Sequence, residues 1–208
     1  MGDTRTRLTR AAIWALAFTV SLTNSLPFSA SALAQGSPRD VQAAIDSQCG
    51  TGVSEKVVRL EKKAQEDSSL VDYGAILDDA RQVIRTAEPC ADMLKGPCEG
   101  SDCTDGAWVF MEDAILVSEQ YLGAALAAEH KTEMALDATR EEFGIAASLC
   151  SSAHILDESS PYDLARIDLR TTLEKAAKFS KYAGSPVSDY AADLRACAQR
   201  TGSTAVIL

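Results

Sequence analysis

The chain has 208 residues, and its 30 acidic residues outnumber its 20 lysines and arginines, so the net charge at pH 7 is −10. A surface this acidic repels nucleic-acid phosphates and anionic lipid headgroups, which argues against nucleic acids and membrane surfaces as partners. The length is sufficient for one hydrophobic core and favours a single folded domain.

The first 34 residues have the organisation of a secretory signal peptide. Arginines at positions 5, 7 and 10 form a basic start, and an apolar run at residues 11–22 follows. Pro27 comes next, and Ala32-Leu33-Ala34 supplies small residues for cleavage before Gln35. The apolar run of about 12 residues is shorter than the ~20 that span a bilayer, so an uncleaved anchor is the weaker alternative. We therefore predict a periplasmic or secreted protein in which residues 35–208 form one helical domain without a membrane span.

The cysteines all lie after this leader: Cys49, Cys90, Cys98, Cys103, Cys150 and Cys197. An even number of cysteines in an oxidising compartment predicts three disulfides. A zinc site is the alternative, but it needs closely spaced pairs such as C-x2-C, and the nearest pairs here are C-x7-C and C-x4-C. Neither histidine lies at a ligand-like interval from a cysteine pair. We therefore expect disulfides, with no metal and no cofactor.

Helical patterns begin directly after the leader. Ser37 followed by Pro38 is typical of a helix start, and Gly50-Thr51-Gly52 is predicted to end this helix after Cys49. A second helix is predicted to begin near Ser54. A third is indicated by apolar residues at three- and four-residue spacing, which are Leu70, Tyr73, Leu77, Ala80, Ile84 and Ala87. Pro89 is predicted to terminate it, because proline cannot donate the next backbone hydrogen bond.

The next 64 residues are predicted to contain a loop and a helical hairpin. Residues 89–106 are rich in proline, glycine and cysteine, which indicates the loop. Residues 107–152 contain no proline, yet a single helix of that length would be about 70 Å long, too long for a domain of this size. We predict a turn in the polar run at residues 129–132. Glu112 and Glu119 are seven residues apart and are predicted to lie on the solvated side of the first of these helices.

Two more helices complete the predicted fold. Ser160-Pro161 indicates the start of one, which is expected to end at Gly184. Its predicted buried residues are Leu164, Ile167, Leu173, Ala177 and Phe179. Ser185-Pro186 indicates the start of the last helix, and Gly202 its end. No segment shows the sustained alternation of apolar and polar residues that is typical of a half-buried strand. We therefore predict an all-α compact bundle of five to seven helices stapled by disulfides.

The alternation of helix direction suggests how the cysteines pair. Cys49 and Cys90 end the first and third predicted helices, and Cys150 and Cys197 lie near the ends of two helices with one between them. In an up-down bundle such helices finish at the same end. Cys98 and Cys103 are joined by a short flexible loop that allows bonding distance. The predicted pairs are therefore Cys49–Cys90, Cys98–Cys103 and Cys150–Cys197.

Two histidines are the candidates for metal or acid–base chemistry. His130 has Glu133 one turn later, and His154 has Asp157 and Glu158. The chain contains no Gly-x-Ser-x-Gly elbow and no phosphate-binding glycine loop, and paired cysteines leave no thiolate. We therefore expect an exported non-enzymatic binding or structural protein, with a protein as a conceivable partner. The alternative is a small periplasmic metal-binding protein or enzyme that uses His130, His154 and nearby carboxylates.

After Gly202 the chain ends in an apolar tail at residues 203–208. Such a tail is either a short segment docked on the bundle or an exposed peptide ligand for a partner's sheet edge. We favour docking or fraying.

Overall fold

A computed structural model describes residues 38–94, 105–152, 155 and 163–208. Within these residues the chain forms seven α-helices and no β-strand, which confirms the predicted all-α fold. The helices are α1 (Pro38–Cys49), α2 (Val53–Leu70), α3 (Tyr73–Leu94), α4 (Asp105–Ala128), α5 (Thr132–Leu149), α6 (Asp163–Phe179) and α7 (Ala191–Arg200). Every one of them contributes buried apolar residues to one core. No described helix is both long and apolar enough to cross a membrane.

Two glycines make the turn between α1 and α2. α1 ends at Cys49, as predicted. Gly50 and Gly52 follow with φ of 104° and 81°, a conformation that side chains disfavour. The Gly52 amide donates a hydrogen bond of 3.0 Å to Asp46 Oδ1, which ties the turn to the last part of α1.

The start of α3 differs from its prediction. Leu70 was expected to face the core from the third helix, but it ends α2 and is 75% exposed. The chain turns at Val71, whose φ is 60°. Asp72 Oδ1 then accepts a hydrogen bond of 3.1 Å from the Ala75 amide, so an aspartate cap sets the start of α3 after it. The cap sets the start of α3 more strongly than the apolar spacing, which had predicted that Leu70 belongs to this helix.

The end of α3 also differs, because Pro89 lies inside the helix. The prediction that Pro89 terminates it is wrong. α3 continues to Leu94, and the turn beyond the proline carries the buried residues Cys90, Ala91 and Leu94. Burial of these side chains and the disulfide at Cys90 offset the backbone hydrogen bond that proline removes.

The predicted turn at residues 129–132 is confirmed. α4 ends at Ala128 and α5 begins at Thr132. His130 adopts a left-handed conformation with φ of 60°, and its amide donates to the Ala127 carbonyl at 3.0 Å. The Lys131 amide donates to the Leu126 carbonyl at 2.8 Å, so the end of α4 retains its backbone hydrogen bonds while the chain reverses.

α4 is the central helix of the bundle, since it contacts α1, α2, α3, α5 and α6. As a result it has no fully solvated side. Glu119 is only 7% exposed, so its placement on a solvated face was wrong, whereas Glu112 is partly exposed. The prediction treated α4 as a surface helix with one apolar stripe, but a helix surrounded by neighbours buries its polar residues as well.

The last two helices are shorter than predicted. α6 ends at Phe179 rather than at Gly184, and Ile167 on it is 38% exposed rather than buried. α7 begins at Ala191 rather than directly after Pro186. The residues between them form turns in which an amide bonds to the carbonyl three residues earlier, and the Ser188 amide, for example, donates to the Ser185 carbonyl at 3.1 Å. Gly202 ends α7 with φ of 62°, as predicted.

The C-terminal tail lies on the bundle, as expected. Ile207 is 4% exposed, and its carbonyl accepts a hydrogen bond of 2.9 Å from Arg195 Nε. The Leu208 amide donates to Ser180 Oγ at 3.1 Å. These contacts hold the tail between α6 and α7.

Two of the predicted disulfides are confirmed. Cys49–Cys90 joins the end of α1 to α3, and Cys150–Cys197 joins the residue after α5 to α7. They close loops of 41 and 47 residues, so each links helices that are distant along the chain. The predicted leader, the Cys98–Cys103 pair and His154 lie outside the described residues.

Candidate functional site

The histidine candidate that the structure describes is not part of a site. His130 is exposed in the turn between α4 and α5, and Glu133 is exposed one turn later. No group of three histidine, cysteine, aspartate or glutamate side chains in the described ranges is arranged to hold a metal ion. His130 therefore offers no ligand set in this part of the chain.

Three carboxylates on different helices influence one another: the buried Glu61 on α2 and Asp113 on α4, and the half-buried Asp168 on α6. Burial and the neighbouring Asp168 raise the pKa of Glu61 to about 8. Burial raises the pKa of Asp168 to about 6. The pKa of Asp113 is raised well above its usual range, mainly by burial and further by the negative charges of Asp168 and Glu61. Within the described residues, Glu61 Oε2 and Asp113 Oδ1 accept no hydrogen bond.

Glu119 is another buried acid with a raised pKa and belongs to a different environment. Burial raises its pKa to about 8, and the acidic neighbours Glu141, Glu142 and Glu88 add to this effect while Lys175 opposes it. Groups that hold a proton near neutral pH are candidates for acid–base catalysis when they face a cavity. None of these four carboxylates is among the described residues that line the two cavities described next.

A cavity of about 480 Å³ lies between α6 and α7. Its described lining consists of Ile155, Arg166, Leu169, Arg170, Leu173, Gln199, Arg200, Thr201 and Gly202. Three of these nine residues are arginines, and none is acidic. A cavity with a positively charged lining is therefore present in a chain whose net charge is −10.

The three arginines differ in how far they are engaged by other residues. Arg166 pairs with Asp163 on its own helix, and the Arg166 side chain is 18% exposed. Arg200 donates one hydrogen bond of 3.0 Å to the main-chain carbonyl of Cys150. Arg170 is exposed and makes no hydrogen bond or ion pair with any described residue. Each guanidinium has five N–H donors, so most donors at Arg170 and Arg200 remain unused.

The fold brings these arginines together from two helices. Arg166 and Arg170 are four residues apart and so share one face of α6. Arg200 ends α7 and lies three residues after Cys197, whose disulfide to Cys150 anchors α7 beside the end of α5. Sequence reasoning missed this set. Its one local signal is the four-residue spacing on α6, and nothing in the sequence links that pair to Arg200.

A second cavity, of about 370 Å³, lies beside α1 and α2. It is lined by Val41, Gln42, Ile45, Ser54, Glu55, Val58, Arg59, Lys62 and Phe110. Its charges have both signs, so it has no consistent preference for an anion or a cation. The arginine-lined cavity is the more specific candidate.

Comparisons of the chain with protein families, with curated proteins and with solved structures found no match. Function is therefore inferred from the side chains that the fold brings together.

Proposed function

We propose that this protein is an exported, non-enzymatic binding protein that holds a small molecule in the cavity between α6 and α7. The observation that carries the proposal is the lining of that cavity, with its three arginines beside Gln199, Thr201 and apolar side chains. A volume of about 480 Å³ is within the range of roughly 300–1,000 Å³ that is common for small-molecule sites.

The lining favours binding over catalysis. Arginine stays protonated in proteins, so it donates hydrogen bonds but does not transfer protons. The carboxylates with raised pKa values, which are Glu61, Asp113, Glu119 and Asp168, are not among the described residues that line this cavity. Its one described hydroxyl side chain, Thr201, donates to the Cys197 carbonyl at 3.0 Å rather than to a general base.

Export to the periplasm or the cell exterior is supported by two independent features. The first 34 residues have the pattern of a signal peptide. Two disulfides link helices that are distant in sequence, and such bonds persist in oxidising compartments.

The test is a small-molecule screen by ligand-observed NMR on the exported protein with its disulfides intact. Gln199 lines the cavity and is exposed, so Gln199→Trp places a large ring in it without changing the core. Gln82→Trp is the matched control, because Gln82 is an exposed glutamine on α3. We expect compounds that bind the wild type and Gln82→Trp and fail to bind Gln199→Trp. Compounds that bind all three proteins equally, or no binding at all, would contradict the proposal.

A further inference from the structure

We infer that the ligand of the α6–α7 cavity is a small organic anion with two or more oxyanion groups, either carboxylates or phosphates. This inference rests on the proposed function and specifies the ligand class of the same site. It is carried by the placement of Arg166, Arg170 and Arg200 around one cavity.

The first step is the charge around the cavity. Three guanidinium groups that face a common space repel one another, and no described lining residue is acidic. Arg166 already pairs with Asp163, whereas Arg170 and Arg200 line the same cavity without an ion pair to any described residue. Positive potential therefore remains in the cavity, and an anion that enters it relieves the repulsion.

The second step is the geometry of the donors. A guanidinium offers a planar fork that matches two oxygens of a carboxylate or phosphate, and such bidentate bonds are stronger than neutral hydrogen bonds. Arg170 has all of its donors unused among the described residues, and Arg200 has committed one to the Cys150 carbonyl. Because these two arginines come from different helices, one oxyanion group per arginine suits the site better than a single charge.

The third step is the polar remainder of the lining. Gln199 and Thr201 lie at the end of α7 beside Arg200. The apolar residues Leu169 and Leu173 are at most 1% exposed, so they form the base of the cavity and offer little surface to a ligand. This lining suits a compact, highly polar anion rather than a long apolar chain.

The test is isothermal titration calorimetry with a graded series of probes. Butyrate, glutarate and tricarballylate carry one, two and three carboxylates, and phosphate and pyrophosphate form a second pair. We expect affinity to rise at least tenfold from butyrate to tricarballylate or from phosphate to pyrophosphate, and to fall with added salt. The series that binds more tightly identifies the oxyanion chemistry.

Variants separate the site from general charge attraction. Arg170→Gln should weaken the best probe at least tenfold, and Arg170→Lys should weaken it less, because lysine keeps the charge but lacks the fork. Arg85→Gln is the matched control, since Arg85 is an exposed arginine on α3. Arg170 makes no described hydrogen bond, so its replacement leaves the fold intact, and the urea unfolding midpoint verifies this.

Three kinds of result contradict one or both proposals. Multivalent anions that bind no better than monovalent ones, or that bind Arg170→Gln as well as wild type, overturn the inference. If the anions do not bind but uncharged compounds bind and Gln199→Trp excludes them, the proposed function stands and the anion inference fails. If Gln199→Trp excludes neither anions nor uncharged compounds, both fail.

Discussion

Lys175 on α6 donates a hydrogen bond to the carboxylate of Glu142 on α5, and both side chains are buried inside the bundle. Glu142 is 0% exposed and Lys175 is 9% exposed. The other carboxylate oxygen of Glu142 accepts a bond of 3.1 Å from Thr172 Oγ1, which in turn accepts one of 3.0 Å from Gln120 Nε2. A network of polar side chains thus links α4, α5 and α6.

Removing the positive charge of this network should strongly destabilise the protein. Lys175→Met leaves the Glu142 carboxylate buried without its counter-ion, and breaking a buried pair costs about 3–5 kcal/mol. Urea denaturation followed by circular dichroism measures the free energy of unfolding. The double variant Glu142→Gln with Lys175→Met should recover most of the loss, because glutamine is neutral and still accepts the bond from Thr172. A double variant no more stable than Lys175→Met would contradict this account.

Stability should fall as pH rises from about 4.5 to about 8. The pKa of Glu61 is raised in the fold from 4.5 to about 8, so in this window the folded state holds a proton that the unfolded chain has released. The folded state therefore binds more protons, and the free energy of unfolding decreases with pH by up to about 1.4 kcal/mol per unit for one carboxyl group. Glu119, with a pKa of about 8, lowers stability over the same pH range. Asp168, with a pKa of about 6, contributes to the decrease only in the lower part of that range.

Glu61→Gln should make this pH dependence shallower, because glutamine is neutral at every pH and has nearly the same shape. Glu174→Gln is the control, since Glu174 is an exposed acid on α6. Urea unfolding at several pH values between 4.5 and 8.5 gives the slopes. An unchanged slope for Glu61→Gln, or a wild-type stability that rises across this window, would show that Glu61 does not hold its proton.

Removing the Cys150–Cys197 disulfide should cost about 3–4 kcal/mol of stability, as the chain-entropy model gives for a loop of 47 residues. The variant is Cys150→Ser with Cys197→Ser, compared with the wild type in thermal and urea unfolding. The Cys49–Cys90 disulfide closes a similar loop of 41 residues, so its removal in Cys49→Ser with Cys90→Ser should cost about as much. The first variant should also weaken anion binding, because the disulfide anchors the helix that carries Arg200. If this variant binds anions as tightly as the wild type, the disulfide is not needed to position the site.

The Cys98–Cys103 pair stays a prediction from the sequence. Non-reducing peptide mapping of the exported protein should recover a peptide in which these two cysteines are joined. A peptide that links Cys90 to either of them would contradict both this pair and the Cys49–Cys90 bond.

Cleavage of the leader is tested on exported material. N-terminal sequencing should begin at Gln35, because Ala32-Leu33-Ala34 supplies the small residues that signal peptidases require. Exported protein that retains Met1 would remove the support that the leader gives to export.

The sequence by itself determined the helical class, the turn at residues 129–132 and the pairing of four cysteines. These features depend on local periodicity, on turn residues such as Gly50 and Gly52, and on the alternation of direction in a bundle, which fixes the ends that meet. The tertiary structure decided the rest. Glu119 is buried because α4 is surrounded by other helices, and Arg200 joins Arg170 because a disulfide positions α7. Local patterns show one face of each helix, whereas burial and side-chain convergence depend on which neighbour covers the other faces.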